Sequence, residues 1–171
     1  MEIRKSICRD TGALMALFEE ARGTIAQLGI DQWQDGYPSL QVVDEDIALE
    51  RSYAVIIDGQ LCGTFVLIED GEPTYDKIYE GAWQTEAQHQ DYVAIHRVAV
   101  SVAVRGKGIS TSIVSYAEAH ARALGRTSLR IDTHKGNVVM RRMLEKHGFR
   151  YCGVIYLENG SPRVAYEKII N

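Results

Sequence analysis

Apolar positions along this chain follow two rhythms, and each change of rhythm marks the border of an element. Residues 2–6 predict a short opening strand. From Asp10 to Leu28, the residues Leu14, Leu17, Phe18, Ala21, Ile25 and Leu28 recur at three and four, the spacing of one buried helical face. Asp10 ahead of Thr11 supplies the N-cap, and Gly29 the stop. A polar stretch with Gln32, Trp33, Asp35, Gly36 and Tyr37 follows, then a short helix near residues 40–50 entered through Pro38-Ser39. Two β-rich runs, 53–58 and 61–68, flank Gly59-Gln60 and predict a hairpin. Residues 69–90 are acidic, aromatic and irregular, and read as a surface excursion.

Tyr92 to Val100 predicts a long central strand, followed by a helix with Ile109, Ile113, Ala117, Ala121 and Leu124 at helical spacing, closed by Gly125. Ser128 to Thr133 predicts a strand. Asn137 opens a helix carrying Val139, Met140, Met143 and Leu144 on one side, with Gly148 just past its end. Phe149 to Leu157 and Arg163 to Ile170 are two further strands joined through Asn159-Gly160 and Pro162. No linker, repeat or low-complexity tract interrupts the alternation, so residues 1–171 are expected to form one domain of α/β (α+β) class. Its sheet is mixed and mainly antiparallel, of six to seven strands with about four helices: crossovers favour parallel neighbours in the middle, hairpins antiparallel ones at the edges.

Composition adds exclusions. At 171 residues and 46% hydrophobic, the chain can bury a core without metal or disulfide support. Cys8, Cys62 and Cys152 are odd in number and far apart, which predicts reduced thiols in a cytoplasmic protein. Charges through the first twenty residues exclude a secretory leader, and no apolar run approaches the ~18 residues of a membrane span. The net charge of −4 argues against partners that are nucleic acid or anionic membrane, so any bound anion needs a local site.

Residues 104–111, Val-Arg-Gly-Lys-Gly-Ile-Ser-Thr, provide one. They set a glycine-rich turn between a strand and a helix, where backbone amides lack helical partners and the peptide dipoles add positive potential. Gly106 and Gly108 clear side chains from those amides, and Arg105 and Lys107 add full charges. An ordinary strand-to-helix turn explains the same eight letters. The Walker A and dinucleotide spacings are both absent.

The order strand, Arg-Gly-x-Gly, helix, strand, Asn-capped helix, Gly-Phe, strand resembles the GCN5-related N-acetyltransferases (GNAT), most strongly across residues 92–156. The family signature of Gln or Arg, two residues, Gly, one residue, then Gly or Ala is matched by Arg105 and Gly108, with Ser110 a small departure. The resemblance implies a GNAT-like fold and an acetyl-CoA-dependent enzyme without a metal, in which an amine attacks the thioester directly in a ternary complex. It implies that backbone groups of Val98, Ala99 and Val100 hold the pantetheine arm as a pseudo-strand. The amides of Arg105, Gly106, Lys107, Gly108, Ile109, Ser110 and Thr111 would hold the pyrophosphate. Asn137 would contact the cofactor from the second helix, although asparagine is also a favoured N-cap on its own account. Dimers are common in the family, so a homodimer is one assembly the resemblance allows.

The chemistry needs a base, because an alkyl amine of pKa about 10 is only ~0.1% neutral at pH 7. Strand alternation puts His96 on the side of Val98 and Val100, with Arg97 opposite, and the family often places a Glu or His base at this point. A packed, hydrogen-bonded strand histidine is the plainer reading of His96. The amide of Val98 would polarise the thioester carbonyl. The tyrosine that often protonates the leaving thiolate is replaced here by Leu144. Tyr151 and Tyr156 are candidate substitutes, and otherwise half-buried sheet aromatics; solvent is a third source of the proton, since a thiolate is a weak base. His134, in the loop before Asn137, serves either binding or loop order. On the acceptor side, Trp33, Tyr37, Tyr75, Tyr79 and Trp83 with Asp31, Asp35, Glu69, Asp70 and Glu72 suit a small primary amine, with a protein N-terminus as rival. The missing tyrosine also motivates a non-catalytic acyl-CoA sensor, and a general nucleotide-phosphate binder is the third reading.

Overall fold

The two rhythms resolve into seven strands and four α-helices in a computed structural model that describes residues 1–170. In chain order these are β1 (Glu2–Lys5), α1 (Thr11–Ala26), α2 (Leu40–Ala48), β2 (Ser52–Ile57), β3 (Gln60–Ile68), β4 (Tyr92–Val100), α3 (Ile109–Ala123), β5 (Ser128–Thr133), α4 (Val138–Lys146), β6 (Arg150–Tyr156) and β7 (Pro162–Ile169). The strands form one sheet in the order β1-β2-β3-β4-β5-β7-β6. β4 runs parallel to β5, while β1–β2, β2–β3, β5–β7 and β6–β7 are antiparallel. The chain divides into two compact units, Met1–Leu67 with Arg97–Ile113, and Ile68–His96 with the chain from Val114 on.

In the first unit, Leu14, Leu17 and Phe18 of α1 pack with Val43 and Ile47 of α2 and with Ala99, as the helical spacing predicts. Tyr53 and Phe65 stack across the β2–β3 pair at 5.1 Å. The hairpin turns at Asp58-Gly59, one residue before the expected pair, because both residues take positive φ (50° and 79°), as a two-residue turn matched to strand twist requires. Asp10 precedes α1 but makes no cap bond to it. Its carboxylate instead accepts from Arg4 (2.7 and 2.9 Å) and from the Ile7 amide (2.8 Å), tying β1 to the Cys8–Asp10 turn. Ser39 caps α2, its hydroxyl accepting from the Val42 amide.

The second unit is built on the β5–β7–β6 ladder. Residues 69–90 are largely exposed, yet the segment is anchored. Glu167 of β7, fully buried, accepts from the amides of Gln84 (2.6 Å) and Thr85 (3.1 Å), the hydroxyls of Thr85 (2.6 Å) and Ser128 (2.7 Å), and Arg130 Nε (3.0 Å). The Arg130 guanidinium lies 4.3 Å from the ring centres of both Trp83 and Tyr92. At the far side, Tyr79 and Val154 exchange two 2.8 Å backbone bonds. A side chain at Gly81 would meet the Cys152 carbonyl at 2.0 Å, so the approach needs glycine there. On α4, Leu144 is buried but Val139 is 67% exposed, so the buried face is narrower than the spacing suggested.

Candidate active site

Residues 101–111 lie wholly in the first unit and are fixed from both ends. Val104 is buried ahead of the turn, and Ile109 and Ile113 after it. Glu20 of α1 accepts from the Ser101 hydroxyl (3.2 Å) and the Val102 amide (2.5 Å), and the Ser101 hydroxyl in turn caps the Val102–Val104 turn. The chain then passes through Gly106 and Gly108, both left-handed with φ of 79° and 76°. A methyl group added at either would meet nothing within 4 Å, so the glycines serve the backbone path and leave its outer face clear. Among the described residues, no backbone carbonyl takes the amides of Gly106, Gly108, Ile109 or Ser110. These donors gather at the start of a fifteen-residue helix, as an anion requires. Arg105 is exposed and turns back to α1, donating to Thr24 Oγ1 at 3.3 Å; Lys107 is exposed.

β4 departs from the simple strand of the sequence reading. Its ladder to β5 covers Tyr92 to Ala94 and stops there, although β5 continues against β7 to Thr133. At Arg97 the backbone is left-handed, with φ of 50°. That residue breaks strict alternation, so placing His96 with Val98 and Val100 by parity does not carry through it. The conformation is unfavourable for a side-chain-bearing residue by roughly 1–2 kcal/mol, and a buried ion pair holds it. Arg97 Nη2 lies 2.8 Å from Asp46 Oδ1 and its Nε 2.6 Å from Oδ2, while Arg51 Nε donates to the same Oδ1 at 2.7 Å. Asp46 is 2% exposed, and the Tyr37 hydroxyl accepts from the other Arg97 nitrogen. Val98 and Val100 are half-buried and Ala99 is buried.

His96 belongs to the second unit. Its Nε2 is enclosed and lies 3.1 Å from Glu72 Oε2, within ion-pair distance though off the line of a straight hydrogen bond. Glu72 is the N-cap of the short Pro73–Tyr75 turn, its carboxylate accepting from the Thr74 amide (3.2 Å) and hydroxyl (2.9 Å), while its own amide donates to the Tyr92 hydroxyl (2.9 Å). Burial opposes its charge, but the adjacent His96 ring, with its charge when protonated, and the Thr74 donors outweigh it and hold the carboxyl down to about 2. Tyr75 stacks on the imidazole at 5.8 Å and donates to Asp132 at 2.7 Å. Burial first, and then the Asp132 charge, push its phenol well above the ordinary value.

The other expected residues scatter. Asn137 caps α4, its side chain accepting from the Met140 amide at 3.1 Å. His134 orders its own loop, Nδ1 accepting from the Gly136 amide. Tyr151 and Tyr156 are about half exposed and pack edge-on against Tyr166 and Tyr79. Of the acceptor-side aromatics, Tyr75 and Trp83 pack inside the second unit, Trp33 sits edge-on against Phe18, and Tyr37 is bound to Arg97. Sequence reasoning placed Glu72 only among acids facing a cationic amine and missed its hold on His96; Glu-Pro, a capping residue before proline at the first helical position, was the signal present.

The family described as acetyltransferase (GNAT) matches residues 14–149. A GNAT-family acetyltransferase from Streptococcus agalactiae is 36% identical, with TM-score 0.89 over 99% of this chain and 95% of that one. A Listeria monocytogenes GNAT acetyltransferase (21% identity, TM-score 0.72, 99% and 94% covered) and the ribosomal-protein-alanine N-acetyltransferase of Brucella melitensis (17%, 0.69, 99% and 100%) share the fold. No curated protein matches.

Proposed function

We propose that this chain, which belongs to the acetyltransferase (GNAT) family, moves the acetyl group of acetyl-CoA to a primary amine by direct transfer in a ternary complex. The observation that carries the reading is the set of amides of Gly106, Gly108, Ile109 and Ser110, which no backbone carbonyl takes among the described residues, on a glycine path whose outer face is open. These suit a pyrophosphate, with Arg105, Lys107 and Thr111 flanking them and Val98 to Val100 offering backbone to the pantetheine arm. Asn137, already engaged as a cap, takes a secondary part in holding the donor.

In this reading His96 accepts the amine proton as the nitrogen attacks the thioester carbon. The C–N bond forms, the Val98 amide stabilises the oxygen that gains charge, and the C–S bond then breaks. Leu144, buried at the family's tyrosine position, cannot supply a proton to the thiolate, so solvent does. The acceptor is a small primary amine or a protein N-terminus, and the chemistry is that of a cytoplasmic enzyme needing no metal.

The test is CoA release across a panel of amines and N-terminal peptides. His96→Ala should lower kcat by about 10²- to 10⁴-fold while acetyl-CoA affinity stays near wild type. The buried Leu144 also favours a second reading, an acyl-CoA sensor without turnover. Tight donor binding with no release on any amine, and no effect of His96→Ala, would establish that reading instead.

A further inference from the structure

We infer that Glu72 is a positioning residue: it fixes the His96 imidazole with its hydrogen on Nε2, so that Nδ1 carries the lone pair that takes the proton from the amine. The inference rests on the acetyltransferase reading and assigns the proton to one atom of that site. A neutral imidazole has one donor and one acceptor nitrogen, and the environment selects which is which. Nε2 is enclosed, and Glu72 Oε2 lies 3.1 Å from it, close enough to attract a hydrogen there though off the line of a straight hydrogen bond. A carboxylate can only accept, so the hydrogen belongs on Nε2.

The arrangement is built to hold that choice. The Thr74 amide and hydroxyl and the Tyr92 hydroxyl fix Glu72 from two elements, and Tyr75 covers one ring face, itself tied to Asp132. Glu72 and Tyr75 touch the imidazole directly; Tyr92 stands behind Glu72 and Asp132 behind Tyr75, with Arg130 over the Tyr92 ring. When the amine proton moves to Nδ1, its N–H electron pair stays on nitrogen for the new C–N bond. The ring becomes an imidazolium with its positive charge beside the carboxylate, which strengthens their attraction as the transition state is reached.

The experiment is nitrogen NMR on the full chain labelled in its five histidines, with the His96 ring signals assigned by their loss in His96→Gln. Neutral His96 should show hydrogen on Nε2 and a bare Nδ1. Glu72→Ala should mix the two tautomers and lower kcat for amine acetylation by about 10- to 100-fold, with acetyl-CoA KM within about twofold. Glu72→Gln, whose amide oxygen still accepts, should keep the tautomer and lose less activity. Hydrogen on Nδ1 in the wild type, or full kcat in Glu72→Ala, overturns the positioning role. A wild-type protein that acetylates no amine overturns the catalytic reading instead, while the tautomer is still read from the spectrum.

Discussion

Glu72 ionises against its burial, which couples its charge to folding. Its carboxyl falls from the ordinary 4.5 to about 2 in the folded chain, so between those values the unfolded chain binds the extra proton. Its contribution is complete above about pH 4.5 and is lost as pH falls through about 2. Urea midpoints followed by tryptophan fluorescence should therefore drop over that window, and less steeply in Glu72→Gln. Asp46 gives a second test at this scale. Asp46→Asn should destabilise by about 3 kcal/mol, a fall in Tm on the order of 6–12 °C, because two guanidinium groups lose their buried partner. Pairing it with Arg97→Met should recover part of the loss. Neither arrangement was legible in the sequence. Arg97 is not a residue that announces positive φ, and Glu72 meets His96 from 24 positions away, where neither rhythm of the chain reaches.

Among the elements, local chemistry was the most legible. The glycine turn, the α3 and α4 faces and the Asn137 cap are set by neighbours in sequence, and each formed where its spacing placed it, apart from the exposed Leu124 and Val139. The turn also permits a separation of folding from binding. At Gly108, φ of 76° makes alanine unfavourable by roughly 1 kcal/mol, while its methyl meets no protein atom. Gly108→Ala should thus lower Tm by only about 2–4 °C but raise acetyl-CoA KM several-fold, with kcat at saturating donor close to wild type. The ends of the β4–β5 ladder were not legible, since a strand's composition says where it begins and not where it leaves its partner.

For the whole molecule, the alternation of strands and helices gave the mixed sheet with its parallel pair at β4–β5, but not the placement of β7 between β5 and β6. Donor binding should be visible at this scale: CoA at a hundred times its Kd stabilises by about 2.7 kcal/mol, a thermal shift of about 5–10 °C. ATP at the same concentration should shift Tm far less, and an equal shift would support the general phosphate binder. The segment 69–90 carries both Glu72 at one end and, at the other, the two residues gripped by Glu167. Burial opposes the Glu167 charge, but Thr85, Ser128 and Arg130 overcome it, and the grip weakens when the group is protonated. Acid therefore works on this strap like a hand on a buckle. As pH falls through the titration of Glu167, protease cuts within 69–90 should appear while β5–β7–β6 still resists, and the partner of His96 would leave with the loosened strap before the protein unfolds.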